Sequence, residues 1–135
     1  MKPFNKIFVF AAALVLAGVA RPAPAAEFSF TFDWGKIPVC DDGNTYDVPS
    51  PIFTFANVPA GTKKIKMYME DVSIGYDHAG GTINYTGENV VQRGAFDYLV
   101  PCPPDGTHTY EWTARAKNAG GDEIGKAKSA QDYPK

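Results

Sequence analysis

Apolar and polar positions alternate with period two along most of this chain, the pattern of half-buried β-strands. Phe28, Phe30, Phe32 and Trp34 alternate with Ser29, Thr31 and Asp33. A second extended run, Ile52 to Ala56, opens after Pro49-Ser50-Pro51 and ends at the turn residues Asn57 to Thr62. A third spans Lys64 to about Val72, with Ile65, Met67 and Met69 on one parity and Lys64, Lys66, Tyr68 and Glu70 on the other. Ser73 to Gly81 is rich in glycine and is expected to be a loop, followed by a short strand from Thr82 to Thr86. Gly94 to Val100 carries Phe96, Tyr98 and Val100 on one side, and His108 to Lys117 is the longest alternating run. Glu123 to Ala130 reads as a returning strand or a short helix. Gly120-Gly121 before it favours a hairpin, and its polarity favours a sheet edge. Six or seven short strands, Gly/Pro turns and no amphipathic helix predict an all-β domain, an antiparallel sandwich or barrel.

Two stretches break the simple division into core and surface. The apolar parity of the third run continues into Asp71, and an unpaired carboxylate is costly to bury. Either the strand bends and Asp71 is solvated, or Asp71 lines a pocket with partners. The segment Val100 to Trp112 holds Pro101, Pro103 and Pro104, whose missing N–H groups and fixed φ make a stiff, extended loop. His108 and Tyr110 then share a parity with Trp112. If Trp112 faces the core, so do they, either walling a pocket or capping the core.

The N-terminus changes how the rest is read. Lys2 and Lys6 precede an apolar run from Ile7 to Ala20, and Ala23-Pro24-Ala25 follows. This is the grammar of a secretory signal peptide, too short and too soon broken for a stable membrane span. Residues 1–25 are therefore expected to be removed, leaving one domain over 26–135 in the periplasm or outside the cell. Losing Lys2, Lys6 and Arg21 leaves ten basic against fifteen acidic residues. Such a balance gives no electrostatic footprint for nucleic acid or anionic membranes. Cys40 and Cys102 are the only cysteines. In an oxidising compartment they favour one disulfide, with two partly buried thiols as the alternative.

Catalytic and metal motifs are missing. There is no HExxH, CxxC or phosphate loop, and Asp41, Asp42, Gly43 and Asn44 lack the downstream ligands of a calcium loop. Ser73 beside Asp71 is the one faint nucleophile, so no enzymatic activity is expected. Asp71, His78 and His108 could together ligate zinc, but their spacing does not require it, and no cofactor is expected. The imidazoles and the Tyr110 hydroxyl suit recognition of an anion, with Asp71 orienting a histidine.

Several segments in ordered series resemble the phosphatidylethanolamine-binding protein family, in its bacterial Raf-kinase-inhibitor-like branch. They are Cys40-Asp41-Asp42-Gly43-Asn44, Ser50-Pro51, Val58-Pro59-Ala60-Gly61-Thr62-Lys63, Asp71-Val72-Ser73, His78, and Val100-Pro101-Cys102-Pro103-Pro104-Asp105-Gly106-Thr107-His108-Thr109-Tyr110. The Pro-Cys-Pro-Pro run with Gly-Thr-His-Thr-Tyr is the specific part. The resemblance implies an antiparallel β-sandwich with small helices and a pocket for phosphate-like anions, including phospholipid head groups. By position the ligand-binding residues would be Asp71, His78, His108 and Tyr110, walled by Pro103 and Pro104. The chain departs from the family pattern at Val72, Ser73, Ala79 and Val100, and the family's C-terminal helix has no counterpart. Val100, in place of glycine, could crowd a bound anion. The expected function is a secreted protein that binds a small anion or phospholipid head group without chemistry. The alternative is a protein-interaction or enzyme-inhibitor module with a vestigial pocket.

Overall fold

Every regular element in the structure, a computed structural model describing Pro3 and residues 18–134, is a β-strand. Lys2, Lys6 and most of the apolar run of the expected export signal lie outside the described residues. Residues 18–27 are exposed and carry no regular structure. No helix among the described residues is long and apolar enough to cross a membrane.

The strands are β1 (Ser29–Asp33), β2 (Asp47–Pro49), β3 (Ile52–Ala56), β4 (Lys64–Asp71), β5 (Tyr76–Asn84), β6 (Val90–Val91), β7 (Asp97–Leu99), β8 (His108–Lys117) and β9 (Glu123–Tyr133). They form three antiparallel sheets, ordered β1-β3-β6, β2-β7 and β5-β4-β8-β9. Inner faces follow the alternation. Phe30 and Phe32 on β1 pair in register with Phe55 and Phe53 on β3. Ile65, Met67 and Met69 on β4 pair with Ala116, Ala114 and Trp112 on β8. The aromatic face of one sheet meets this row directly: the Phe53 and Trp112 rings stand edge to face at 5.2 Å. Burial of these side chains is the main stabilising term, at roughly 1.5–3 kcal/mol for each large apolar group.

Three expectations change. Ser73–Gly81 is not a loop throughout, because β5 begins at Tyr76. The run from Gly94 to Val100 contracts to β7, because the Gly94 and Ala95 N–H groups bond Ser50 and the Phe96 carbonyl accepts from the Ser50 N–H. The small helices implied by the family resemblance do not occur among the described residues. The last stretch is a strand, not a helix, and it lies at the edge of the four-stranded sheet. Gln131 ties that edge to β1 by donating to the Phe32 carbonyl.

Candidate ligand-binding site

The β4–β8 register fixes the centre of the site. Asp71 is directly opposite Tyr110, both at the end of the inward rows. β4 does not bend away before Asp71, which is 2% exposed. Its carboxylate survives burial because both oxygens are engaged. Oδ2 accepts from His108 Nδ1 at 2.6 Å and Oδ1 from the Ser73 N–H at 3.0 Å. The Ser73 hydroxyl in turn accepts from the Thr109 N–H at 2.9 Å, so this serine clasps β4 to β8.

The second histidine arrives on β5. Opposite Met69, β5 has an extra residue, a β-bulge between the Glu70–Asp77 and Tyr68–Gly80 pairs. Ala79 takes up the kink at a φ of 62°, with its N–H bonded to the Asp77 carboxylate at 2.7 Å. Such bulges re-aim a neighbouring side chain. His78 is thereby buried, its ring edge to face with Tyr110 at 5.2 Å and its Nδ1 2.8 Å from the Leu99 carbonyl. A carbonyl can only accept, so Nδ1 carries the proton and Nε2 is the ring's acceptor.

The two imidazoles differ electrostatically. The hydrogen bond to Asp71 pushes the His108 pKa up, and the Asp71 and Asp105 charges add to it. Burial pushes His78 down, against the opposing Leu99 carbonyl and the charges of Asp71 and Asp77. Burial likewise raises the Tyr110 phenol, with the Asp71 charge second. Its hydroxyl is buried and has no hydrogen-bond partner among the described residues.

Asp71, His78, Tyr110 and Pro104 line one cavity of about 130 Å³, together with Gly43, Thr45, Ile74, Tyr76 and Cys102. His108 and Pro103 do not line it. His108 stands behind Asp71, its ring stacked 6.4 Å from that of Tyr110. Val100, the residue expected to crowd a ligand, is instead fully buried in the core cluster. Gly43, Thr45, Ile74 and Tyr76 were not singled out as site residues. Tyr76 shares parity with His78 on β5, a signal hidden by reading this stretch as a loop. The cavity roof is fixed by a disulfide between Cys40 and Cys102, with Cα atoms 4.6 Å apart. With both sulfurs bonded, the cluster of Cys40, Asp42 and Cys102 offers no thiolate to a metal. A wider open groove of about 710 Å³ beside Phe28, Pro59 and Gly125 is lined also by Glu27, Asn57 and Lys126, but by no histidine or buried acid.

The architecture has a counterpart among solved structures. The crystal structure of Escherichia coli YbcL, described as a new member of the mammalian PEBP family, matches with a TM-score of 0.52 at 19% identity. The match covers 80% of this chain and 98% of that one. The fold is that of the phosphatidylethanolamine-binding proteins. Chlamydia trachomatis CT736, described as a homologue of the phosphatidylethanolamine-binding proteins, also matches, at 16% identity and a TM-score of 0.45 over 81% of this chain and 98% of its own. No protein-family model and no curated protein sequence matches the chain. Within the phosphatidylethanolamine-binding fold, the cavity lies where β4, β5 and β8 end beneath the disulfide-linked loops.

Proposed function

We propose that this chain is an exported binding protein, acting in the periplasm or outside the cell, whose cavity holds a small phosphate-type anion without chemical change. The observation that carries the reading is Tyr110: it lines the cavity, and its buried hydroxyl, with Asp71 and the Cys102 backbone nearby, makes no close hydrogen bond among the described residues. An unmade hydrogen bond at a buried hydroxyl costs about 1–3 kcal/mol, which a ligand oxygen would recover. The Asp71 bond shifts His108 toward its charged form, which offsets that carboxylate and lowers the cost of bringing in an anion. His78 contributes the opposite polarity, since Nε2 accepts. A singly protonated phosphate satisfies both, accepting from Tyr110 and donating to His78. A cavity of about 130 Å³ suits a group of a few heavy atoms, well below the roughly 300 Å³ at which drug-sized pockets begin.

The test is a calorimetric titration of wild type and Tyr110→Phe with inorganic phosphate and, separately, with glycerophosphoethanolamine. Tyr110→Phe should lose binding while its unfolding midpoint stays level or rises, because the substitution removes an unsatisfied hydroxyl. Equal affinity in the two proteins would remove the cavity from consideration. Phosphate binding without head-group binding would restrict the ligand to the free anion, and the reverse would point to lipid.

A further inference from the structure

The mouth of the cavity is framed by residues 39–47, 71–79 and 101–109, which together contain Asp41, Asp42, Asp47, Asp71, Asp77 and Asp105 and no lysine or arginine. Only Asp71 is buried. Among the described residues, the two lysine or arginine ion pairs lie elsewhere, Arg115–Glu123 and Lys128–Glu111 on the β8–β9 hairpin. The same rim is apolar. Tyr46, Val72, Ile74 and Tyr76 are 42%, 45%, 61% and 42% exposed. Ile74 and Tyr76 line the cavity itself. Thr45, which also lines it, meets the Tyr76 hydroxyl at 3.3 Å, closing the rim across the opening. Tyr110 lines the cavity too, its buried hydroxyl without a close hydrogen-bond partner among the described residues. Clustered exposed apolar side chains around an opening mark an interaction surface.

We propose that this rim docks a protein segment carrying lysine or arginine on either side of an apolar or aromatic side chain, with that side chain seated over the cavity mouth. Charge selects this occupant. Exposed carboxylates without a lysine or arginine partner among the described residues, of which only Asp105 faces a histidine, attract a cationic segment and raise its association rate. They repel anionic membrane surfaces. Space agrees, because the opening takes the end of a side chain and not the length of an acyl chain. The surface is separate from the anion reading, since it uses the rim and not the polar groups of the floor.

Short fluorescent peptides with Leu, Phe or Tyr between lysines, and matched peptides with glutamate for lysine, test it by anisotropy. At least one lysine peptide should bind, more weakly as salt rises, and the glutamate set should not. Val72→Ser/Ile74→Ser should weaken binding by roughly tenfold or more. Asp42→Asn/Asp77→Asn/Asp105→Asn should weaken it and flatten the salt dependence. The asparagines keep the carbonyls that bond the Asn44 and Ala79 N–H groups. These exposed positions should leave the fold unchanged, whereas Tyr110→Phe should lose phosphate and keep the lysine peptides. The proposal is overturned if no lysine peptide binds, if glutamate peptides bind equally, or if the rim variants bind as wild type does. It is also overturned if phosphatidylcholine vesicles bind through the same rim and the peptides do not.

Discussion

His108 and His78 both pack near the Tyr110 ring, one stacked and one edge on, and their surroundings shift their proton affinities in opposite directions. His108 has a carboxylate on Nδ1, so its charged form is favoured in the folded state. That contribution to stability is whole below the unfolded value near 6.5 and drains away as pH rises through the raised folded pKa. His78 has a carbonyl on Nδ1 and little water, so its neutral form is favoured. Its contribution is whole above 6.5 and is lost as pH falls from there through the depressed folded pKa. The two should therefore titrate in a fixed order on either side of the ordinary histidine value. Imidazole carbon-bound proton shifts, assigned by His78→Gln and His108→Gln, will measure it. His78 titrating at or above His108 would contradict the opposite shifts that burial and the Asp71 bond impose on the two rings.

The bulge in β5 holds His78 where it is, and glycines make the bulge possible. A Cβ on Gly80 would stand 2.1 Å from the Met67 carbonyl oxygen, and one on Gly81 would stand 2.4 Å from Phe96 Cβ. Gly80→Ala must push β5 off β4, because the obstructing atoms belong to the backbone. It should destabilise the protein by about 1–3 kcal/mol, and it should loosen the contact between His78 and Leu99. Urea unfolding reads the first effect and the His78 titration the second. An unmoved midpoint would mean that the strand is not pinned at that register. This element also marks the limit of what could be read from sequence. β1, β3, β4 and β8 were legible because each buries one face and shows the other to water or neighbours. β9, with only Ala127 buried, was suggested by the Gly120-Gly121 turn, which does not decide between strand and helix. β5 was not, because Asp77, Ala79, Gly80 and Gly81 carry no apolar alternation. Its position is set by a bulge and by close approach of β4 and Phe96. β2 and β6 are too short to show any period. In the site, alternation placed Asp71, His108 and Tyr110 on the inward side. It gives the side of a sheet and not the depth along it, so it could not show that His108 stands behind Asp71, outside the cavity.

At the scale of the molecule, the cavity has a floor built on the four-stranded sheet and a roof built on a much weaker unit. The roof loops flank β2 and β7, two strands of three residues paired only with each other. A sheet of that size is marginal in water by itself. Beyond the ladder, the pairing is continued by the Val100 N–H bond to the Tyr46 carbonyl, and then by the Cys40–Cys102 bond. That bond closes a chain separation of 62 residues, for which loop entropy predicts a stabilisation of ~4 kcal/mol. A domain of this size has roughly 5–15 kcal/mol in total, so the cross-link is a large share. Reduction, or Cys40→Ser/Cys102→Ser, should therefore lower the urea midpoint sharply. It should also steepen the transition, because an uncross-linked unfolded chain exposes more surface. The bonds from Asp71 to His108 and Ser73 use no roof residue, whereas His78 reaches the Leu99 carbonyl of β7. In the double variant without denaturant, the His108 titration should keep its raised position while phosphate affinity falls. If the midpoint does not move under reductant, the disulfide is not what holds the roof. If the midpoint falls and phosphate affinity is kept, the β2–β7 pairing holds the roof by itself and the cavity does not need the bond.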